Sequence, residues 1–241
     1  MGEIILKMQG IQKYFPGVHA LDDAQLEIRS GEVMGLIGEN GAGKSTLMKI
    51  LTGVYTRDAG TVLVDGKEVV YKNPQEAEKA GIVFIYQELN VLFDLTVEEN
   101  LFMGKELTKG FGICDKKAMR KKAQEIMDRM GVKIPVNAVM SDLSVGQQQM
   151  VEIMKAYRRN TTVIAFDEPT ASLMDSEINI LFNLIEELKN QGKIILYISH
   201  RMSEIFRITD EVVVLKDGSF VCQTPTKELT EQKLISSMVG R

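Results

Sequence analysis

A chain of 241 residues, 44% hydrophobic and 26% charged, has the composition of an ordinary globular protein and is long enough to bury a sizeable core as one large domain or two small ones. Its net charge of −4 argues against a nucleic-acid footprint, which would be basic. No stretch reaches the roughly 18 consecutive apolar residues of a membrane-spanning helix. The N-terminal residues lack the basic and apolar regions of a secretory signal, and Leu6 breaks the myristoylation pattern. Cys114 and Cys222 are read as two reduced thiols, with no second pair to build a zinc site or a disulfide framework.

In chain order, Ile4–Met8, Gln25–Ile28 and Thr61–Val64 read as short strands, separated by the turn signals Pro16-Gly17, Ser30-Gly31 and Asp65-Gly66; they predict an antiparallel β layer. Glu32–Ile37 reads as a buried strand, and Ser45–Leu51 as a helix stopped at Gly53. Ile82–Tyr86, Val163–Phe166, Ile194–Ile198 and Val212–Leu215 are continuous apolar runs, the texture of strands buried on both faces. With Glu32–Ile37 they predict a central, mainly parallel sheet. Between Gln87 and Asn160 the texture turns helical, with Val97–Phe102, Lys116–Met130 and Gln147–Arg158 as helices. Ala123, Ile126, Met127 and Met130 mark the apolar side of the second. Its basic cluster Lys116, Lys117, Arg120, Lys121 and Lys122 reads as a solvated face, since no aromatics interleave it.

Between the strand at 32–37 and its helix stands Gly38-Glu39-Asn40-Gly41-Ala42-Gly43-Lys44-Ser45, which fits G-x-x-x-x-G-K-[ST]. A loop of this kind turns successive backbone N–H groups toward an anion at a helix N-terminus. Its glycines allow positive φ and close approach of phosphate oxygens. Lys44 is expected along the β- and γ-phosphates of a nucleoside triphosphate, with the Ser45 hydroxyl on Mg²⁺ and Thr46 among the nucleotide-binding residues. The apolar run at 162–166 ends in Asp167, placed to hold the Mg²⁺ shell, and Glu168 follows as the expected general base for an attacking water.

Gly38–Ser45, Leu143-Ser144-Val145-Gly146-Gln147 and Phe166-Asp167-Glu168-Pro169-Thr170, in this order, resemble an ATP-binding cassette (ABC) ATPase subunit, and the resemblance covers nearly the whole chain. It implies a P-loop NTPase (RecA-like) α/β core with a mainly parallel sheet, an antiparallel β subdomain and an inserted helical subdomain. The single domain would divide into a nucleotide-binding core with its β subdomain at 1–87 and 160–241 and a helical signature subdomain at 88–159. By resemblance, Gln87 touches Mg²⁺ and the attacking water and senses a transmembrane partner, and His200 contacts the γ-phosphate. Phe15 stacks on the adenine, with Tyr14 as the alternative and plain core packing open for either. Ser144, Gly146 and Gln147 form a second anion cradle at a helix start, serving the ATP of a partner cassette. Two cassettes would thus sandwich two ATP molecules.

Two positions depart from the family pattern. Val145 stands where a second glycine is common, and Met174 stands at the aspartate position of the D-loop, with Asp175 one later. Phe15–Leu21, Gly38–Leu51, Glu98–Gly104 and Tyr197–Met202 are similar to the ATPases of bacterial monosaccharide importers of the ribose, galactose and xylose kind. That resemblance implies an N-terminal cassette working with a second one, a transmembrane sugar permease and, indirectly, a periplasmic sugar-binding protein, on the cytoplasmic face of the membrane. Two other readings fit the motifs less well. A soluble ABC ATPase of DNA repair or chromosome maintenance would carry a long coiled-coil or zinc insertion between Gln87 and Leu143, which here are close in the chain. A non-hydrolysing regulatory cassette fits poorly with intact Lys44, Asp167, Glu168 and His200.

Overall fold

The computed structural model describes residues 3–109, 112–159 and 161–239. The chain ends, Met1-Gly2 and Gly240-Arg241, and the boundary residue Asn160 lie outside the described residues. The described residues fall into two compact units, one of Met1–Phe84, Thr161–Glu168 and Ile185–Arg241, the other of Ile85–Asn160 and Pro169–Leu184.

The first unit is built on a mixed sheet. Its centre comprises β3 (Val33–Ile37), β7 (Val163–Asp167), β8 (Ile194–Ile198) and β9 (Glu211–Lys216). β3 runs parallel to both β8 and β9, and β7 parallel to β8. Every residue of β3 and β8 is buried, as continuous apolar runs require when both faces are covered. β6 (Ile82–Ile85) borders β7, and β10 (Ser219–Pro225) returns antiparallel to β9. The expected antiparallel layer comprises β1 (Ile4–Phe15), β2 (Val18–Arg29), β4 (Ala59–Val64) and β5 (Lys67–Glu68). The full order is β5-β4-β1-β2-β10-β9-β3-β8-β7-β6. The antiparallel part joins the rest where Asp22 of β2 pairs with Ser219 of β10.

β1 and β2 are each 12 residues long, well beyond the short segments the sequence suggests. Register shifts between Met8 and Ile11 and between Ile11 and Lys13, with Gly10 at φ 61° and Asp23 at φ 57°, break the alternation that marks a strand. The hairpins behave as their turn residues demand: Asp65-Gly66 and Asp217-Gly218 have positive φ at both positions, the primed turn that suits twisted strands. α1 (Lys44–Leu51) leaves the loop after β3 and buries Leu47, Met48, Ile50 and Leu51. Helices α2 (Pro74–Lys79), α7 (Met202–Ile208) and α8 (Glu231–Val239) complete this unit.

The second unit contains α3 (Val97–Phe102), α4 (Lys116–Met130) and α5 (Val145–Arg158). α6 (Asp175–Asn190) begins within it and ends in the first. Each start carries a local signal. Thr96 and Glu99 form a capping box at α3, Asp115 caps α4 through the Ala118 N–H, and Ser144 and Gln147 form a second box at α5. α4 stops at Gly131, whose φ of 67° closes the helix in the left-handed region. Met119, Ala123, Ile126, Met127 and Met130 are buried, while the basic cluster is exposed. Arg120 reaches from that face to the buried Glu98, Nε and Nη2 donating to its two oxygens at 2.7 and 2.8 Å, which ties α4 to α3.

Candidate functional site: the loop after β3 and the ends of β7 and β8

Residues 38–43 link β3 to α1 in an open turn. Gly41 and Gly43 stand at φ 87° and 95°. At Gly43 a side chain is excluded twice, because a methyl there would lie 2.5 Å from Leu21 Cδ2 and 3.0 Å from the Ala20 carbonyl. At Gly38 it would run into the Leu215 carbonyl and the Ala42 methyl. Within the loop the Ala42 N–H donates to the Glu39 carbonyl, and Leu47 N–H returns to Gly43. The N–H groups of Gly41, Gly43, Lys44, Ser45 and Thr46 have no acceptor among the described residues. A run of open donors at a helix start is a concave, partly positive site for an anion.

Lys44 folds over this loop, its ammonium donating to the Gly38 and Glu39 carbonyls at 2.8 and 3.0 Å. Burial holds its pKa below the ordinary lysine value, against the opposing pull of Asp167 and Glu168. Asp167 ends β7, on the strand two places from β3, and accepts a long hydrogen bond of 3.4 Å from the Ser45 hydroxyl. Burial first, and the neighbouring Glu168 second, raise the Asp167 pKa above the usual aspartate value.

Glu168 leaves the strand with φ 47°, an uncommon backbone state for a glutamate, while its N–H donates to the Ile198 carbonyl at 2.9 Å. The β7–β8 register pairs Asp167 with Ile198, which brings the residues just beyond the two strand ends side by side. His200 Nδ1 accordingly lies 3.1 Å from Glu168 Oε1, with the imidazole largely exposed. Lys44, Ser45, Asp167, Glu168 and His200, read separately from sequence, thus gather at the C-terminal ends of the central strands β3, β7 and β8.

The remaining residues lie elsewhere. Gln87 is exposed in the bend after β6, and Ser144, Gly146 and Gln147 start α5, all four within the second unit. Ser144 Oγ accepts the Gln147 N–H at 3.2 Å and Gln147 Oε1 accepts the Ser144 N–H at 3.0 Å. Gly146 is buried against the Ser172 carbonyl and Glu177, with no room for a methyl. Val145 beside it and Met174 are both exposed. Phe15 packs edge-on against Tyr55, centroids 5.2 Å apart, under the Lys13 ammonium, whereas Tyr14 stacks on His19 at 4.1 Å. Sequence reasoning missed Tyr55 and Asp58. The latter accepts the Tyr14 N–H at 2.6 Å and the Lys13 ammonium at 3.1 Å, bonds that hold its carboxyl below the usual pKa. No local pattern links residues so distant in the chain.

A strand, a loop of open N–H groups, a helix, and an acid closing a parallel strand two places away define the P-loop NTPase fold. The ABC transporter family model matches residues 21–171, and the chain belongs to that family. Among solved structures, the chain is similar to the ADP conformation of MJ1267, an ATP-binding cassette of an ABC transporter, at 30% identity and TM-score 0.84, covering 99% of this chain and 100% of that one. It is similar to cbiO1 from Clostridium perfringens, part of the ABC transporter complex cbiONQ, at 27% identity and TM-score 0.81, covering 99% and 95%. A dimeric post-hydrolysis state of the cassette MJ0796 bound to ADP and Pi matches at 26% identity and TM-score 0.79, covering 92% and 99%. Among the described residues no helix is long and apolar enough to cross a membrane.

Proposed function

We propose that the chain is the ATP-hydrolysing cassette that powers import of a monosaccharide through a membrane permease, acting as half of a two-cassette sandwich. The observation that carries the ATPase reading is the convergence of Glu168 and His200 beside the open loop of Gly41–Thr46. In this reading the loop N–H groups take the β- and γ-phosphate oxygens, and Lys44 exchanges the Gly38 and Glu39 carbonyls for phosphate. Glu168 accepts the proton of the attacking water, and His200 steadies both that carboxylate and the γ-phosphate. Phe15 or Tyr14 covers the adenine.

The donors at Ser45 and Asp167 fit Mg²⁺: both are hard oxygens, drawn together at 3.4 Å, and this ion takes one or two protein ligands beside phosphate and water. Bound there with Gln87 as a further ligand, it would neutralise charge across the β- and γ-phosphates. Ser144, Gly146 and Gln147 would face the nucleotide of the partner cassette, the capped start of α5 offering its open N–H groups. The relative MJ0796, a dimer holding ADP and Pi, supports such an arrangement. The sugar reading rests on the importer-like segments Phe15–Leu21, Glu98–Gly104 and Tyr197–Met202. It calls for a sugar permease and a periplasmic sugar-binding protein as partners, with the cassette peripheral on the cytoplasmic face.

The test is ATPase activity as a function of protein concentration, followed by uptake of labelled pentoses and hexoses in cells carrying or lacking the chain. Specific activity that rises with concentration, and uptake of one sugar that depends on the chain, support the proposal. Flat specific activity excludes the two-cassette mechanism, and unchanged uptake of every sugar excludes the importer.

A further inference from the structure

Behind His200 lies a buried carboxyl that the reaction does not use. Glu204, on α7, is 5% exposed. Its Oε2 accepts from the Tyr197 hydroxyl and the Ser199 hydroxyl, both at 2.9 Å, and its Oε1 from Arg201 Nη1 at 3.3 Å. Ser199 Oγ in turn accepts the Arg201 N–H at 3.0 Å, and the Glu204 N–H closes the turn on the Arg201 carbonyl at 3.1 Å. His200 therefore sits between two residues that are each tied to one core carboxyl. The same network reaches the other strand, since the Tyr197 ring packs against Phe166, the residue before Asp167, with centroids 6.3 Å apart.

A buried carboxyl is costly and keeps its place only when its donors are well aligned. Tyr197, Ser199 and Arg201 bracket His200 in the chain, so their bonds to this carboxyl hold the path of the chain through His200. We propose that Glu204 is a positioning residue, holding the Ser199–Arg201 turn so that the His200 imidazole is presented to Glu168. Its effect on turnover rests on the catalytic reading of His200; the hold itself does not.

Two readouts separate these. The chain has 2 histidines, His19 and His200, so imidazole-labelled protein gives two sets of NMR signals. Glu204→Ala is expected to shift or broaden the His200 signals and leave those of His19 in place. Turnover should fall at least about tenfold with ATP affinity unchanged, and adding Glu204→Ala to His200→Ala should cost nothing further, because both act through one group. If the alanine variant does not fold, Glu204→Gln, which keeps an acceptor for the two hydroxyls and turns a donor toward Arg201, should show the same effects at smaller amplitude. Unmoved His200 signals in a folded variant, or losses that multiply in the double variant, overturn the proposal. If His200→Ala turns over at the parent rate, the catalytic role of His200 fails, and the NMR signals alone decide whether Glu204 holds the turn.

Discussion

The Glu168 carboxylate and the His200 imidazole meet at 3.1 Å across the ends of two parallel strands, and Glu168 takes a φ of 47° at that point. A non-glycine residue in the left-handed region costs on the order of 1 kcal/mol or more, and such strain gathers where side-chain direction matters. The β7–β8 register supplies the proximity, and the backbone turn aims the carboxylate.

Replacing Glu168 with Gln keeps size and shape but removes the proposed base. Turnover should fall by roughly 10²- to 10⁴-fold while ATP still binds, so that ATP-bound dimers accumulate. Phosphate release and size-exclusion chromatography in the presence of ATP measure the two effects. Turnover at the parent rate would rule out Glu168 as the base.

Lys44→Ala should leave the fold intact, since the ammonium donates its hydrogen bonds to two carbonyls of the loop itself. A lost charge-assisted hydrogen bond to phosphate is worth about 1.5–3 kcal/mol, so the dissociation constant for ATP should rise about 10- to 100-fold. Isothermal titration calorimetry gives the value directly.

Gly41→Ala and Gly43→Ala separate backbone strain from steric exclusion. Both residues have positive φ, yet a methyl at Gly41 meets nothing within 4 Å, whereas at Gly43 it meets Leu21 and Ala20. Gly41→Ala should cost about 1–2 kcal/mol for the left-handed backbone. Gly43→Ala should cost about 1–3 kcal/mol beyond that for overpacking. Urea denaturation of the two variants reports the difference; equal costs would mean that the Leu21 contact relaxes freely.

Asp167 should make stability depend on pH in a definite direction. Burial and Glu168 raise its folded pKa above the unfolded value, so the folded chain binds the proton more tightly. Its contribution is most favourable below the unfolded value and is lost as pH rises through the folded one. Asp167→Asn should therefore be more stable than the parent at neutral pH. That advantage should shrink as pH falls into the ordinary aspartate range, while ATP hydrolysis is lost. Urea midpoints of both proteins between pH 4 and pH 7 test the sign; a gap that widens toward acid would reverse the assignment.

Much of this was legible in the chain because it is local. α3 and α4 could be read from helical spacing within a few residues, and the structure shows their limits held by local caps, Thr96 with Glu99 and Asp115 with Gly131. β3, β7 and β8 announce themselves as apolar runs because both their faces are covered. The full lengths of β1 and β2 were hidden by bulges around Gly10 and Asp23, which interrupt the alternation, and β10 lacked a continuous apolar run. Phe15 could be named by family resemblance, but Tyr55 against its ring and Asp58 against Lys13 and Tyr14 could not.

The sequence alone made the phosphate loop legible, because the glycines, Lys44 and Ser45 stand together in a single strand–turn–helix, although Leu215, Leu21 and Ala20 close round Gly38 and Gly43 only in the fold. It also determined the order of the motifs, and with it the family. Tertiary structure alone decided which side chains meet. His200 reaches Glu168 only through the parallel register of β7 and β8, Ser45 reaches Asp167 across the sheet, and Glu204 becomes a buried acceptor only when α7 packs behind β8. Pairings of that kind depend on sheet order and helix packing, long-range choices settled by burial of the whole apolar surface rather than by any local run of residues.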